Sequence, residues 1–221
     1  MNSTNSISFL QSIDLFSDLG DETLAFLCDH SKLQYYNTGE ILYYEKEQRN
    51  EIFFLVNGGL KFYKVDRFDN EIFLYKLGAN SLVFDISRMC DQHTISCYAN
   101  AEFMEASEVL VFEGDKFKEV IQRDTLLMQK ILQESFRSIQ QLQCIISRDV
   151  VFDGTAKVAH MIVNELDTFN SLKKHEIAYM LHIQPETLSR ILKKLTRNGI
   201  VCIEKNNVVI LDENELREIY E

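Results

Sequence analysis

The chain changes character near residue 113, and this change does most to limit the folds that it can adopt. Between Leu33 and Phe112, short runs rich in Phe, Tyr, Ile and Val alternate with turn residues such as Asn57-Gly58-Gly59, which is the pattern of short antiparallel strands. From about Asp115 onward, helical patterns replace them. Strands and helices that are separated along the chain predict the α+β class, with a β-roll or barrel in the N-terminal part.

Three strands can be placed in this region from the run lengths. They are Ile52–Val56, Leu60–Val65 and Ile72–Leu77, and Asp69-Asn70 is the expected tip of the hairpin that joins the last two. Ahead of the strands, we expect a short amphipathic helix whose inward face carries Leu24, Phe26 and Leu27.

Composition excludes several classes of protein. With 221 residues, 46% of them hydrophobic and 26% charged, the chain can bury a core and is neither disordered nor collagen-like. No run approaches the roughly 20 apolar residues that span a bilayer, and Met1–Ser8 lacks the basic start of a secretory signal. The five scattered cysteines disfavour a disulfide framework or a tetrathiolate metal site and indicate a reducing cytoplasm.

A long helix is predicted over Thr125–Asp149, which contains neither Gly nor Pro. One face of this helix is an apolar stripe with the alternating spacing of a coiled-coil seam, and its members are Met128, Leu132, Ser135, Ile139, Leu142 and Ile146. The other apolar face, with Leu127, Ile131 and Ile145, can pack on the strands. Both faces could pack within one monomer, but we favour a homodimer because the strands leave little else to cover a second apolar face.

The segment after residue 171 carries the most specific pattern. Lys174–Leu181 is predicted as a short helix, His182-Ile183-Gln184 as a tight turn, and Pro185–Leu195 as a second helix that begins with proline, where the missing N–H costs nothing. A β-hairpin follows, with Lys205-Asn206-Asn207 at its tip. Two helices across a three-residue turn and a hairpin behind them predict a winged helix-turn-helix.

We place a domain boundary where Asp153-Gly154-Thr155 interrupts the helical pattern. Either Asp153 or Thr155 can cap the next helix, Ala156–Leu166. The expected organisation is a β-roll domain over residues 1–122, a dimerisation helix over residues 123–150 and a winged helix-turn-helix domain over residues 151–221.

The net charge is −11, but it is unevenly distributed. Ser171–Lys205 holds seven basic and three acidic residues, which is the electrostatic pattern of a local nucleic-acid site on an acidic chain. On the second predicted helix, Glu186, Ser189 and Arg190 project together. Arginine can bond guanine at two atoms, glutamate can accept from cytosine, and serine can contact several base edges. Phosphate contacts are expected from Lys173, Lys174, Thr187, Lys193, Lys194, Arg197 and Lys205.

A simpler interpretation of the same helix face is an exposed ion pair between Glu186 and Arg190. Such a pair contributes only about 0.3–0.5 kcal/mol and needs no ligand. Within a helix-turn-helix that also supplies cations for phosphates, base readout is the interpretation that we favour.

The residues of this segment resemble the DNA-binding signature of the Crp/Fnr transcription regulators, and the Glu-Thr-x-Ser-Arg run is most similar to the Fnr branch. The resemblance implies a cupin-like β-roll sensor, a dimerisation helix and a C-terminal winged helix-turn-helix, with double-stranded DNA, a second copy of the chain, RNA polymerase and a small effector as partners and no membrane. It also implies a palindrome with TTGA-like half-sites. The matching runs are Glu176-Ile177-Ala178, Glu186–Leu192, Leu195 and Gly199-Ile200, with weaker similarity at Leu15–Leu19 and Glu51–Lys61.

The sensor region departs from the family pattern. Phe84-Asp85 stands where cyclic-nucleotide-binding members have Gly-Glu, and Ile95 stands near the expected phosphate-binding arginine, so cAMP is disfavoured because a buried phosphate would lack a cation. An Fnr-type iron–sulfur cluster is disfavoured as well, since only Cys28 lies near the N-terminus. Haem is kept as an alternative, as are a thiol redox switch and a small organic or anionic ligand. The candidate haem ligands are His30, His93, Cys90, Cys97 and the methionines.

The remaining histidines receive no metal-binding role. His160, His175 and His182 lack metal-site spacing and carboxylate partners, so we expect them to be structural or to face phosphates. His182 occupies a turn position where the family often has glycine, so a left-handed conformation is expected there, and Gln184 replaces the usual serine-type cap.

Two other functions are compatible with a β-roll joined to a winged helix. One is a cupin-like metal-dependent enzyme, although the strand region has no His-x-His cluster and no nucleophile–base pair. The other is a protein-interaction module that has lost DNA binding. A non-enzymatic DNA-binding regulator is the function that we favour.

Overall fold

The computed structural model describes residues 3–83, 95–205 and 207–221, which form two compact units. The first unit ends at Ile139, and the second runs from Gln140 to Glu221. The strands are concentrated in the first unit and helices make up most of the second. This arrangement confirms the α+β class expected from the change of pattern near residue 113.

Helices flank the strands of the first unit in sequence. α1 (Ser3–Gln11) and α2 (Asp21–Asp29) precede the strands, and α3 (Gly114–Arg123) and α4 (Thr125–Ile146) follow them. The described strands are β1 (Ser31–Tyr36), β2 (Ile41–Tyr43), β3 (Gln48–Arg49), β4 (Glu51–Asn57), β5 (Gly59–Val65), β6 (Glu71–Gly78), β7 (Ser81–Val83), β8 (Ile95–Ser96), β9 (Asn100–Phe103) and β10 (Ser107–Glu113).

These strands pair antiparallel and form a β-roll. Two four-stranded sheets have the orders β1-β10-β4-β7 and β2-β9-β5-β6, and β3 pairs with β8. The three predicted strands are confirmed as β4, β5 and β6, each within one residue at either end. At the predicted hairpin tip, Asp66 Oδ1 accepts hydrogen bonds from the N–H groups of Phe68 and Asn70 at 2.7 and 3.0 Å.

β4 and β10 lie side by side and bury both of their faces. One face contributes to the core between the sheets and the other to the core beneath the helices. A sheet with no exposed face is encoded by an unbroken apolar run rather than by alternation. The residues in the first core are Phe53, Leu55, Val109 and Val111, and those in the second are Ile52, Phe54, Leu110 and Phe112.

Phe16, which follows α1, is a central residue of the core beneath the helices. It is fully buried, and its ring centroid lies 5.5 Å from that of Phe54 and 5.6 Å from that of Phe112. α2 buries Leu24 and Leu27 in the same core, as predicted, while Phe26 is partly buried and packs at its edge.

α4 joins this core only through its first two turns. Leu127 and Ile131 are buried there, and Asp124 caps the helix by accepting from the N–H groups of Leu126 and Leu127, both at 3.0 Å. Ile145, the third residue of the predicted inner face, is half-buried and belongs to the second unit, so its packing stays a prediction.

The predicted stripe on α4 is exposed. Ser135 fills its small position and donates its hydroxyl to the Ile131 carbonyl at 2.8 Å. Phe136, which the spacing did not include, lies beside Ser135 in sequence and is also exposed. The apolar members of the stripe are between 38% and 61% exposed, and they are Met128, Leu132, Ile139, Leu142 and Ile146.

The predicted helix Thr125–Asp149 is helical throughout, but its last turn is not α-helical. The α-helical pattern stops at Ile146, and Ser147–Val151 forms a π turn, in which each N–H bonds one residue further back than in an α-helix. Within this turn, Asp149 reaches Lys157 and His182, contacts that the local sequence pattern does not contain. No described helix is both long and apolar enough to cross a membrane.

Gly58 and Gly39 give a matched test of packing in the β-roll. Both have positive φ values, 98° and 83°, so alanine at either site costs about 1–2 kcal/mol for the backbone alone. Only at Gly58 would a new Cβ overlap another group, the side chain of Ser107, whereas a Cβ at Gly39 meets nothing within 4 Å.

We therefore predict that Gly58→Ala lowers the free energy of unfolding more than Gly39→Ala does. Urea denaturation followed by circular dichroism measures both variants. Equal losses would contradict the prediction, because they would show that Ser107 moves aside without cost.

Candidate nucleic-acid interface

The second unit consists of helices and one β-hairpin. Asp153 caps its first helix by accepting from the N–H groups of Thr155 and Ala156, both at 2.8 Å, so the aspartate is the cap that is used. This helix begins at Gly154, two residues before the predicted start. The elements are α5 (Gly154–Asn164), α6 (Leu166–Ser171), α7 (Lys174–Met180), α8 (Pro185–Arg197), β11 (Val201–Glu204), β12 (Asn207–Ile210) and α9 (Glu213–Glu218).

α7 and α8 form the predicted helix-turn-helix, and a Schellman motif shapes its turn. The N–H of His182 donates to the Tyr179 carbonyl at 3.2 Å, and the N–H of Ile183 donates to the Ala178 carbonyl at 3.0 Å, the bond pair of this motif. The motif requires a left-handed residue, and His182 supplies it with a φ of 54°. A residue other than glycine there costs about 1–2 kcal/mol, so other interactions must offset the strain.

α8 has one buried and one open face. Glu186 and Arg190 are exposed and Ser189 is half-buried. Among the described residues, these three side chains make no ion pair or hydrogen bond. The exposed ion pair considered from the sequence is therefore not formed, and all three groups are available to a ligand. The inward residues are those predicted: Leu188, Ile191, Leu192 and Leu195.

Cations precede, accompany and follow this open face along the sequence. Lys173 and Lys174 lie at the start of α7, and Lys205 lies at the hairpin tip with a φ of 48°. Neither these three lysines nor Lys193, Lys194 and Arg197 have an acidic partner within 4.0 Å among the described residues. Thr187 is half-buried, and the exposed cations are Lys173, Lys174, Lys193, Lys194, Arg197 and Lys205.

The hairpin is held to the helices by Asn170, a residue that the sequence analysis missed. Its Nδ2 donates to the Val208 carbonyl at 3.0 Å, and its Oδ1 accepts from the Val208 N–H at 2.8 Å. An amide side chain can satisfy both backbone groups at once. Because the two residues are 38 positions apart, no local pattern indicates the contact.

Asp149 is the second missed residue, and it corrects the expectation that His182 has no carboxylate partner. Asp149 Oδ2 lies 3.8 Å from His182 Nε2. Its Oδ1 accepts from Arg148 Nε at 3.0 Å and lies 3.9 Å from Lys157 Nζ. Burial is the main cause that lowers the pKa of His182; Asp149 opposes this shift, and Lys157 and Arg148 add to it.

The other two histidines of this unit differ in their surroundings. His160 packs against the rings of Tyr220 and Phe152, with centroids at 5.1 and 5.6 Å. Burial lowers the pKa of His160, and the charge of Arg148 adds to the shift. These contacts give His160 a structural place, while His175 is exposed on α7.

The residues considered for haem have ordinary contacts where they are described. His30 Nδ1 lies 3.4 Å from Glu113 Oε1, and its ring lies 4.6 Å from that of Phe26. Cys97 is buried in the core between the sheets. Cys90, His93 and Phe84-Asp85 lie outside the described residues, as does the side chain of Ile95. Among the described residues, no three His, Cys, Asp or Glu side chains are grouped to hold a metal.

A β-roll, a long helix and a winged helix-turn-helix with an unpaired polar face define a DNA-binding protein of the winged-helix class. Residues 33–124 match the family described as cyclic nucleotide-binding domain, and residues 156–219 match the Crp-like helix-turn-helix domain. The chain belongs to the Crp/Fnr family of DNA-binding transcription regulators, as the signature on α7 and α8 implied.

Individual relatives extend the match over most of the chain. The cAMP-activated global transcriptional regulator CRP of Salmonella typhimurium is 20% identical over 200 residues, which cover 86% of this chain and 94% of that protein. A protein of Eubacterium rectale described as a regulator of the crp/fnr family has a TM-score of 0.70 at 16% identity, over 93% of this chain and 97% of that one. FixK2 from Bradyrhizobium japonicum has a TM-score of 0.68 at 15% identity, over 86% and 98%.

Asn170→Ala is predicted to loosen the hairpin. The substitution leaves the N–H and carbonyl of buried Val208 without their partner, which costs about 1–3 kcal/mol. Hydrogen exchange of the Val208 amide and urea unfolding measure the effect. Asn164→Ala is the control, because among the described residues its amide bonds only the His160 carbonyl, in an exposed contact. Equal protection of Val208 in both variants would contradict the prediction.

Proposed function

We propose that the chain is a homodimeric, sequence-specific transcription regulator that reads a palindrome and responds to a small effector. The observation that carries this proposal is the open face of α8. An acid, a hydroxyl and a guanidinium lie together there without partners among the described residues. In this winged-helix class the second helix of the motif enters the major groove, where such groups meet base edges.

Each group of this face receives one role. Arg190 is assigned to a guanine, which it can bond at O6 and N7, and Glu186 to the cytosine opposite a neighbouring base. Ser189 is assigned to a thymine. By resemblance to the Fnr branch, the half-site is proposed to be TTGA, and two-fold symmetry then calls for an inverted repeat with half-sites about one helical turn apart.

The surrounding groups are proposed to bind phosphates. Cations without protein partners release counterions from DNA when they bind, which adds affinity without sequence preference. The predicted cations are exposed, and Thr187, a half-buried residue, lies near the N-terminus of α8. The proposed phosphate contacts are Lys173, Lys174, Thr187, Lys193, Lys194, Arg197 and Lys205.

We predict that Arg190→Ala and Lys193→Ala weaken DNA binding in different ways. Loss of Arg190 should reduce discrimination between a TTGA palindrome and its guanine-substituted version by about 1–3 kcal/mol. Loss of Lys193 should weaken all sequences alike and lower the salt slope of the affinity by about one. Fluorescence anisotropy over a range of salt concentrations measures both effects. If Arg190→Ala keeps the wild-type ratio of affinities for the TTGA palindrome and its guanine-substituted version, the assignment of Arg190 to guanine is wrong.

The exposed stripe on α4 supports the proposed homodimer. α4 contributes only Leu127 and Ile131 to the core of the described residues. The apolar side chains of the stripe need another partner to leave water. A second copy presents the same stripe, and the spacing of four and three suits helix pairing. We propose that the interface consists of Met128, Leu132, Ser135, Ile139, Leu142 and Ile146.

Leu132→Glu is predicted to shift the protein toward a monomer, because it places a charge in the middle of the paired stripe. Gln133→Glu introduces the same side chain at the next exposed position, off the stripe, and should leave the mass unchanged. Sedimentation equilibrium and native mass spectrometry measure both variants. A wild-type protein that stays monomeric at every concentration would refute the proposed dimer.

We further propose an effector other than cAMP or an iron–sulfur cluster. The support comes from the sequence, where Phe84-Asp85 and Ile95 replace the residues that cyclic-nucleotide-binding members use. The Salmonella relative is named as cAMP-activated. We therefore propose that this chain shares the architecture of that relative but binds a different effector. The effector would change the packing of the paired helices and thereby the positions of the two α8 helices. An absorbance spectrum of protein purified without oxygen separates haem from other ligands.

RNA polymerase is a proposed partner by family resemblance, and the cytoplasmic location remains a prediction from the cysteines. Of the alternative functions, the enzyme is disfavoured because the relatives are transcription regulators. A module that has lost DNA binding would enrich no palindrome from random DNA at moderate salt, so that selection distinguishes it from the proposed regulator.

A further inference from the structure

The tip of the hairpin formed by β11 and β12 extends beyond the buried part of its unit. Val208, at 4% exposure, is the buried residue of β12 that lies nearest the tip along the chain. Glu204, Lys205 and Asn207, which lie nearer the tip, are all exposed. A two-stranded hairpin is at best marginally stable in water, so the position of Lys205 depends on where the rest of the unit holds the two strands.

Among the described residues, hydrogen bonds hold this hairpin to the rest of the unit at two places. At its base, the Ile200 carbonyl accepts from the N–H groups of Leu211 and Asp212 at 2.9 and 3.1 Å. Nearer the tip, the Asn170 amide bonds both backbone groups of Val208 at 2.8 and 3.0 Å. Without the Asn170 side chain, the nearest such attachment to the tip would be at the base.

Asn170 acts on β12 as a third strand would. In an antiparallel pair, every second residue points its N–H and its carbonyl away from the partner strand. At Val208 these two groups point to α6, where one amide side chain satisfies both of them. α6 is itself anchored beside Asn170, because Phe169 is buried at 3% exposure and its N–H donates to the Glu165 carbonyl at 2.8 Å. The hairpin is therefore tied to an anchored helix three residues from Lys205.

We propose that Asn170 is a positioning residue for DNA binding, which holds Val208 and thereby fixes Lys205 for its phosphate contact. The inference rests on the proposed DNA-binding function. It gives Asn170 no contact with DNA and no part in base readout, which stays with the open face of α8.

The loss of Asn170 should weaken DNA binding through Lys205. In a loosened hairpin, Lys205 must be ordered at the moment when it meets a phosphate, and this ordering reduces the affinity by about threefold to tenfold. Phosphates carry no sequence information directly. The reduction should therefore be the same for every DNA sequence.

A double-mutant cycle on the full chain tests this coupling. Fluorescence anisotropy gives the affinity for the selected palindrome of wild type, Asn170→Ala, Lys205→Ala and the double variant. Losses add when two residues act independently and fail to add when they act through one contact. We expect Asn170→Ala to cost about threefold to tenfold in affinity when Lys205 is present and to cost almost nothing once Lys205 has been replaced.

Three controls accompany the cycle. Lys193 is a proposed phosphate contact on α8, so its replacement and that of Asn170 should be additive. Asn164→Ala removes an exposed amide of the same unit and should leave the affinity unchanged. Asn170→Ala should keep the wild-type ratio of affinities for the TTGA palindrome and its guanine-substituted version, whereas Arg190→Ala should not.

A second measurement needs no DNA. NMR relaxation of the Lys205 amide reports how well the hairpin tip is ordered in the free protein. Asn170→Ala should lower the order parameter of this amide, and Asn164→Ala should not. If Asn170→Ala does not fold, Asn170→Ser repeats both measurements, because serine is neutral and offers one polar atom where the amide offers two.

The outcomes separate this inference from the function on which it rests. If wild type binds no palindrome, the proposed function fails and the inference falls with it. If wild type binds and the losses from Asn170→Ala and Lys205→Ala add, Asn170 acts independently of Lys205 and only the inference is overturned. The inference is also overturned if Asn170→Ala binds DNA as tightly as wild type or leaves the Lys205 amide equally ordered.

Discussion

The burial of one aliphatic face of α8 is the constraint on which the candidate site depends. A helix turns by about 100° per residue, so fixing that face fixes the direction of every other side chain on the helix. Burying each aliphatic side chain contributes about 1.5–3 kcal/mol, and the charged groups of Arg190 and Glu186 are more stable in water than buried without partners, so both effects favour the same orientation of the helix. The open polar face follows from the packing of Leu188, Ile191, Leu192 and Leu195, without any attraction between its own members.

Elements with a strong period could be predicted, and elements held by distant partners could not. β4 was predictable because Ile52–Val56 is an apolar run between turn residues, and α8 because its apolar spacing and Pro185 agree. The double contact of Asn170 with Val208 and the reach of Asp149 to His182 were not, since a hydrogen bond across the fold leaves no trace in the spacing of neighbours. The π turn was missed for a different reason: it begins after Ile146, so it does not change the apolar spacing that predicts the helix.

The two faces of α4 show how one helix can carry two different patterns. Leu127 and Ile131 enter the core and stop contributing after two turns, whereas the stripe continues to Ile146 and remains open. Exposed Phe136 adds aromatic area next to small Ser135, which the spacing rule alone had left as a gap in the stripe. Large contiguous apolar patches are rare on monomers, so the stripe supports the proposed pairing more strongly than its sequence period did.

The charge distribution gives the proposed regulator a reason to bind DNA selectively. A chain with a net charge of −11 is repelled by DNA as a whole, and the six exposed cations of Ser171–Lys205 named above oppose that repulsion locally. Because none of them has an acidic partner among the described residues, they are not neutralised before DNA arrives. Phosphate contacts of this kind add affinity for any sequence, and the acidic remainder subtracts from it equally for any sequence. What distinguishes one sequence from another is then left to the open face of α8, where replacing a matched base would leave Arg190 or Glu186 desolvated without a partner.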